Sequence, residues 1–521
     1  MTVNATEARK ETLDKDLDKL VHVEEAASFL SRGLVAPGLG LLFLALAAIV
    51  ASFFAIGEPR AVLVIIAAAI GGYMALNIGA NDVANNVGPA VGAKALTMGG
   101  ALAIAAVFES AGALIAGGDV VTTISSGIVA PASLPTGDAF IRLMLAALLS
   151  SALWVNLATW IGAPVSTTHA VVGGVVGAGI VAAGFYSINW AMIGNIALSW
   201  VVSPLLGGII AALFLFFIKT TIIYQDDKIT AARRWVPVLI AIMAGSFAAY
   251  LVTKGLKRVI DLSALQITLV GVACFVVAWY FSRISVNRQS RGMENRNQSL
   301  RKLFNMPLIL SAALLSFAHG ANDVANAVGP LAALVHATQD GTTSGEVVIP
   351  LWVMVIGALG ISVGLVLFGP KLIRMVGQQI TKLNPIRAFC VALSAAVTVI
   401  VASWFGLPVS STHIAIGAVF GVGFFREWYT AHSGRRRAYL ERKVARARAE
   451  RAAANGENGN DATEDAYDLE EKGPPMSREE IARRKLVRRA HVTTIATAWV
   501  TTVPAAAALA ALVFVSLNML P

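Results

Sequence analysis

Hydrophobic positions along this chain fall in long, nearly unbroken runs, unlike the one-sided stripe of a soluble helix or the alternation of a half-buried strand. The pattern predicts apolar segments at residues 34–56, 61–80, 99–118, 139–161, 168–184, 190–218, 235–253, 263–282, 306–333, 349–369, 386–406, 412–425 and 492–519. Many hold about 20 residues, the length a helix needs to cross a hydrocarbon layer of roughly 30 Å. Two pairs depart from that rule. Segments 139–161 and 168–184 are parted only by residues 162–167, and 386–406 and 412–425 only by residues 407–411, with a short second member each time. A short polar break between two apolar helices predicts a re-entrant hairpin. Its tip is tolerated at membrane depth where protein or a wet cavity surrounds it. The expected fold is therefore all-α and polytopic.

Composition agrees. Only 14% of the 521 residues are charged and 56% are hydrophobic, against about a quarter charged in soluble domains. Cys274 and Cys390 both lie in apolar runs, where a thiol acts as a small hydrophobe. Residues 1–33 are polar and mixed in charge, unlike a cleavable leader, and read as a cytoplasmic tail. Much of the net charge of +10 sits in residues 426–490, around an acidic, glycine- and asparagine-containing middle. Beside membrane spans, such basic residues mark a loop facing the cytoplasm rather than nucleic acid. With the N-terminus inside, residues 219–234, 283–302, 371–387 and 426–490 all fall on the cytoplasmic side, whereas Lys254, Lys257 and Arg258 are a local exception.

The chain also repeats itself. Gly79-Ala-Asn-Asp-Val-Ala-Asn-Asn-Val-Gly-Pro89 recurs as Gly320-Ala-Asn-Asp-Val-Ala-Asn-Ala-Val-Gly-Pro330, and Pro164-Val-Ser-Thr-Thr-His169 as Pro408-Val-Ser-Ser-Thr-His413. The separations are 84 residues from Asp82 to Ser166 and 87 from Asp323 to Ser410. A Trp/Pro pair recurs as Trp200/Pro204 and Trp499/Pro504. Such recurrence marks a duplication. The assigned topology runs the segment before Asn81 inward and that before Asn322 outward, so the copies are expected to be inverted, each with a broken helix and a re-entrant hairpin. This is a transporter architecture. The expected division is a tail at 1–33, an extra helix at 34–56, repeats at 61–218 and at 306–425 continuing through 492–519, two linker helices within 235–282, and a basic loop at 426–490.

Acids inside the bilayer are costly unless paired. Asp82 and Asp323, flanked by Asn81, Asn85 and Asn86 and by Asn322 and Asn326, offer carboxylate and amide oxygens suited to a hard cation or a proton; helix capping is the plainer use of the same residues. Ser166, Thr167 and Thr168, with Ser410, Ser411 and Thr412, stand where helices begin, so hydroxyls and unpaired backbone amides can hold an oxyanion. They can equally just satisfy the backbone of a bend. His169 and His413 fit a structural role slightly better than a proton-sharing one. Glu109, the other acid well inside a span, can relay a proton or orient a helix. His319 is weaker still, since its counterpart is Ile78.

These motifs resemble the inorganic phosphate transporter (PiT) family over residues 61–218 and 306–519. The resemblance implies phosphate uptake coupled to Na⁺ or H⁺ in a plasma or bacterial inner membrane. It implies cations at Asn81, Asp82, Asn85, Asn322, Asp323 and Asn326, and phosphate at Ser166–Thr168 and Ser410–Thr412. Glu109 matches the acid of the family's Phe-Glu-x-x-Gly stretch. The departures are the extra N-terminal span, the arginine-rich loop and Ala327 in place of a second Asn86. No Walker loop, paired zinc-type ligand set or nucleophile elbow is present, so neither an enzyme nor an ATP-driven pump is expected, and no cofactor beyond the coupling ion. Sulfate, a channel and a phosphate-binding receptor are the alternatives; the sequence leaves oligomeric state open, a homodimer included.

Overall fold

The computed structural model describes residues 34–519 except 59, 130–133, 135, 162–164, 256–261, 340–346, 348, 380–382, scattered positions between 437 and 450, and 451–488. The expected N-terminal tail, most of the basic loop and Pro164 lie outside the described residues. The fold is helical. Among the described residues the sole β pairing is an isolated bridge between Val129 and Ile188, and eleven helices are long and apolar enough to cross a membrane.

Helix α1 spans Leu34–Phe54. The first half contains α2 (Ala61–Gly92), α3 (Met98–Ala116), α4 (Gly137–Ile161), α5 (Thr167–Ala183) and α6 (Trp190–Ile218); α7 (Lys228–Lys254) and α8 (Ala264–Gln289) follow. The second half contains α9 (Asn305–Asp323), α10 (Ala325–Gln339), α11 (Leu351–Gln379), α12 (Pro385–Trp404), α13 (Ser411–His432) and α14 (Arg489–Asn518). Rows of large apolar side chains face outward, such as Leu198, Val201, Leu205, Ile209 and Leu213 on α6. Apolar surface of that extent suits lipid, not water.

The halves interlock by exchanging helices. α3 of the first half packs along α9, while its counterpart α11 packs along α2; likewise α6 packs on α13, and its counterpart α14 on α5. The first glycine of each repeated motif explains the closeness. A Cβ on Gly79 would collide with the backbone at Ile361 of α11, and one on Gly320 with the backbone at Glu109 of α3. Small residues that let helix backbones approach are the usual device inside membranes. Gly320→Ala is therefore expected to lower the thermal unfolding midpoint of the detergent-purified protein, since overpacking costs about 1–3 kcal/mol. Gly99→Ala, where a Cβ meets nothing within 4 Å, is expected to leave it unchanged; equal midpoints for the two variants would show that the contact is unimportant.

The expected helix break occurs in one copy only. In the second, α9 ends at Asp323 and α10 starts at Ala325, whereas α2 runs unbroken through Asp82, Gly88 and Pro89. Glycine and proline cost a helix interior about 1 and 3 kcal/mol. The long packing of α2 against α11 overrides that local preference, and the chain leaves the helix only after Gly92.

Candidate functional site

Both hairpin tips and both repeated motifs meet inside the protein. Ser166 caps α5 by accepting from the His169 amide (3.2 Å), and Ser410 caps α13 by accepting from the His413 amide (3.3 Å). Each tip is tied to the asparagine opening the motif of its own half. Asn81 donates to the Val165 carbonyl (3.0 Å) and to Asp82 Oδ1 (3.0 Å). Asn322 donates to Ser403 Oγ (2.9 Å) and the Leu407 carbonyl (3.1 Å), and its own carbonyl oxygen accepts from the Val409 amide (3.2 Å). Asn322 thus positions a tip in this geometry.

The later asparagines reach across the halves. Asn85 donates to Thr412 Oγ1 (2.8 Å), and the equivalent Asn326 donates to Thr167 Oγ1 (3.3 Å) and Thr168 Oγ1 (3.2 Å). The hydroxyls in turn serve the acids. Thr167 and Thr412 donate to Asp82 at 3.1 and 2.9 Å, Ser411 donates to Asp323 at 3.3 Å, and Thr168 donates to the Val409 carbonyl at 3.0 Å. Asp82 and Asp323 are each 1% exposed, deep enough that every one of these bonds acts in a low dielectric.

His319 occupies the centre. Its Nε2 lies 3.0 Å from Asp323 Oδ2 and 3.7 Å from Asp82 Oδ2, and its Nδ1 lies 3.4 Å from Glu109 Oε2. Ligand atoms of Asp82, His319 and Asp323 all fall within 4.8 Å of one another. His319 does not recur in the repeat, yet it stands four residues before Asp323 and so shares its helix face. Glu109 accepts from Asn86 Nδ2 at 2.8 Å through its other oxygen. In the second half the equivalent positions are Ala327 and Ile361: Gly79 approaches the Ile361 backbone as Gly320 approaches that of Glu109, and the residues that follow, Ser110 and Ser362, bond each other at 2.6 Å. The Asn86–Glu109 pair is thus lost as a unit, along with the histidine whose counterpart is Ile78.

His169 and His413 sit behind the tips. Their rings meet edge to face at 4.5 Å between centroids, and His169 also lies against Trp200 at 3.8 Å. Trp200 Nε1 donates to the Pro408 carbonyl (3.2 Å), which fastens the second tip. That packing suits the structural role read from the sequence. The described residues also fit a hard cation, because Asp323 Oδ1 and the Asn326 carbonyl oxygen are buried and accept no hydrogen bond from the protein.

A helical membrane protein whose two interlocked halves bring acids and hydroxyls to one interior site has the build of a membrane transporter. Comparison with known proteins narrows this. The profile described as the phosphate transporter family matches residues 78–510, and the chain belongs to that family. It is 46% identical to a protein of Helicobacter pylori (strain ATCC 700392 / 26695) provisionally named a phosphate permease, over 97% of this chain and 99% of that protein. A similarly named protein of Pyrococcus abyssi (strain GE5 / Orsay) is 37% identical over 68% of this chain and 86% of its own. Among solved structures, one titled the sodium-dependent phosphate transporter superposes with a TM-score of 0.73 at 32% identity, covering 88% of this chain and all of that one.

Proposed function

We propose that this protein is a symporter that moves inorganic phosphate through the cytoplasmic membrane by alternating access between two inverted repeats, with its N-terminus inside, driven by a sodium gradient. The observation that carries the reading is the meeting of Asp82, Asp323 and both Ser/Thr tips in one buried site. Family membership supports phosphate as the solute, and the sodium-dependent solved relative supports the choice of ion.

The arrangement accounts for coupling. Glu109, Asp82 and Asp323 face one imidazole, and an approaching phosphate meets repulsion from any carboxylate left uncompensated. At 4 Å a single pair of like charges costs about 4 kcal/mol near a protein surface. A sodium ion on Asp323, Asn326 and Asp82 would cancel that field. It would also compete for the carboxylate oxygens that now accept from Thr167, Ser411 and Thr412, releasing those hydroxyls to donate to phosphate oxygens. The tips Ser166–Thr168 and Ser410–Thr412 then hold the anion, with the helix N-termini behind them. Protonated phosphate can also donate to Asp82, which sulfate cannot do.

His319 among three acids favours a second reading, with a proton as the driving ion. The two separate cleanly in proteoliposomes that carry either a sodium or a proton gradient with the other collapsed. Radiolabelled phosphate is expected to accumulate under the sodium gradient alone and to bind more weakly when potassium replaces sodium. Accumulation under the proton gradient alone, with sodium absent, overturns the sodium assignment.

A further inference from the structure

A second polar cavity, about 450 Å³ in volume, opens between the end of α2, the start of α9 and the start of α12. Lys94, Arg301, Lys302 and Arg387 line it, together with the amides of Asn305 and Asn384, and no acid is among its lining residues. None of the four cations enters an ion pair among the described residues. Arg387 is only partly exposed and feels the charges of Arg301 and Arg426. Asn384 caps α12 by accepting from the Arg387 amide (3.0 Å), which leaves its side-chain N–H donors for another partner. Lys94 is the one non-glycine residue with positive φ among the described residues, at 60°, a conformation that costs of order 1–3 kcal/mol.

Basic residues at helix ends follow from the topology rule alone. That rule scatters charge over a flat face. It does not bring four cations from three segments, more than 200 residues apart in the chain for Lys94 and Arg301, to one concavity that lacks acids. Like charges gathered without counter-ions repel each other, and such a group is stable when an anion joins it. All three segments lie on the side that the charge pattern assigns to the cytoplasm.

We propose that this cavity is a second anion site, separate from the transport site, which takes a cytoplasmic polyanion carrying two or more phosphate groups. Its volume lies in the range of about 300–1,000 Å³ common for ligand pockets, larger than one inorganic phosphate needs. Arginine and lysine together supply forked and point-charge partners for phosphate oxygens. Two sources share this chemistry: a soluble diphosphate group, and the headgroup of a two-phosphate lipid lodged between helices at the cytoplasmic face. Occupancy would bear on transport, since α2 carries Asp82, α9 carries Asp323 and α12 leads to the tip at Ser410.

The test uses the full-length protein with saturating inorganic phosphate, so that the transport site is already filled. In the soluble arm, pyrophosphate is titrated by calorimetry into protein in uncharged detergent. In the lipid arm, phosphate uptake is compared in vesicles of phosphatidylcholine with and without cardiolipin. The variants are Arg301→Gln/Lys302→Gln, both exposed, and as control Arg283→Gln/Arg288→Gln, also exposed and outside the cavity. The expected result is an anion effect in at least one arm. It should weaken at least about tenfold in the first variant, as loss of charge-assisted contacts requires, and stay unchanged in the control. Pyrophosphate binding assigns the soluble source, and a cardiolipin effect alone assigns the lipid. No anion effect in either arm, or one that survives the Arg301/Lys302 substitutions, overturns the proposal.

Discussion

Asp323→Asn is expected to abolish phosphate uptake, by about 100-fold or more, while the protein still inserts and purifies as the wild type does. Asparagine keeps the shape and can still accept from Ser411, but it removes the charge that His319 Nε2 faces at 3.0 Å. It also replaces the buried oxygen that accepts no hydrogen bond from the protein. At about 1.4 kcal/mol per factor of ten, a loss of two decades corresponds to about 2.8 kcal/mol. Radiolabelled uptake into vesicles measures it directly. Asp82→Asn should behave alike, since Asp82 accepts from Thr167, Thr412 and Asn81 and lies 3.7 Å from the same imidazole. Normal uptake by both variants would remove the acids from the mechanism.

His319→Gln should be nearly as damaging, and for a separable reason. Without the imidazole, Glu109, Asp82 and Asp323 face one another across a fully buried space. Uptake is expected to fall at least tenfold and the thermal midpoint of the purified protein to drop. Adding Glu109→Gln should then restore stability by removing one of the opposed acids, without restoring uptake. Such non-additivity is the signature of residues in one network. A double variant no more stable than His319→Gln alone would mean that Glu109 and His319 are not coupled. Uptake at the wild-type level in His319→Gln would end any role for the imidazole in transport.

Much of the site was legible because it is written twice. Asp82 and Asp323, the two Ser/Thr tips and the cross-half asparagines recur at matching separations, and the structure brings all of them together. The same reliance on recurrence hid His319, which occurs once, and hid the link between two lone departures. Ala327 and Ile361 look unrelated along the chain; they are linked losses only because Asn86 and Glu109 bond each other at 2.8 Å. Helix continuity at Asp82 departs from the local pattern for another reason. Glycine and proline carry a local penalty, while the packing of α2 on α11 comes from residues some 280 positions away, beyond any local pattern.

The Asn86–Glu109–His319 chain joins two residues of the first half to one of the second, and the equivalent positions hold Ala327, Ile361 and Ile78, so the halves are unequally equipped. In a carrier that works by swapping the conformations of its halves, a perfect mirror would make the outward- and inward-open forms equal in energy. Under the alternating access proposed above, the swap would exchange a polar-braced interface for an apolar one, so the two forms would differ in energy and the empty protein would rest toward one membrane face. A bias of only about 1.4 kcal/mol is already a tenfold preference, enough to give import and export of the same anion different half-saturation without any change in the residues that hold it.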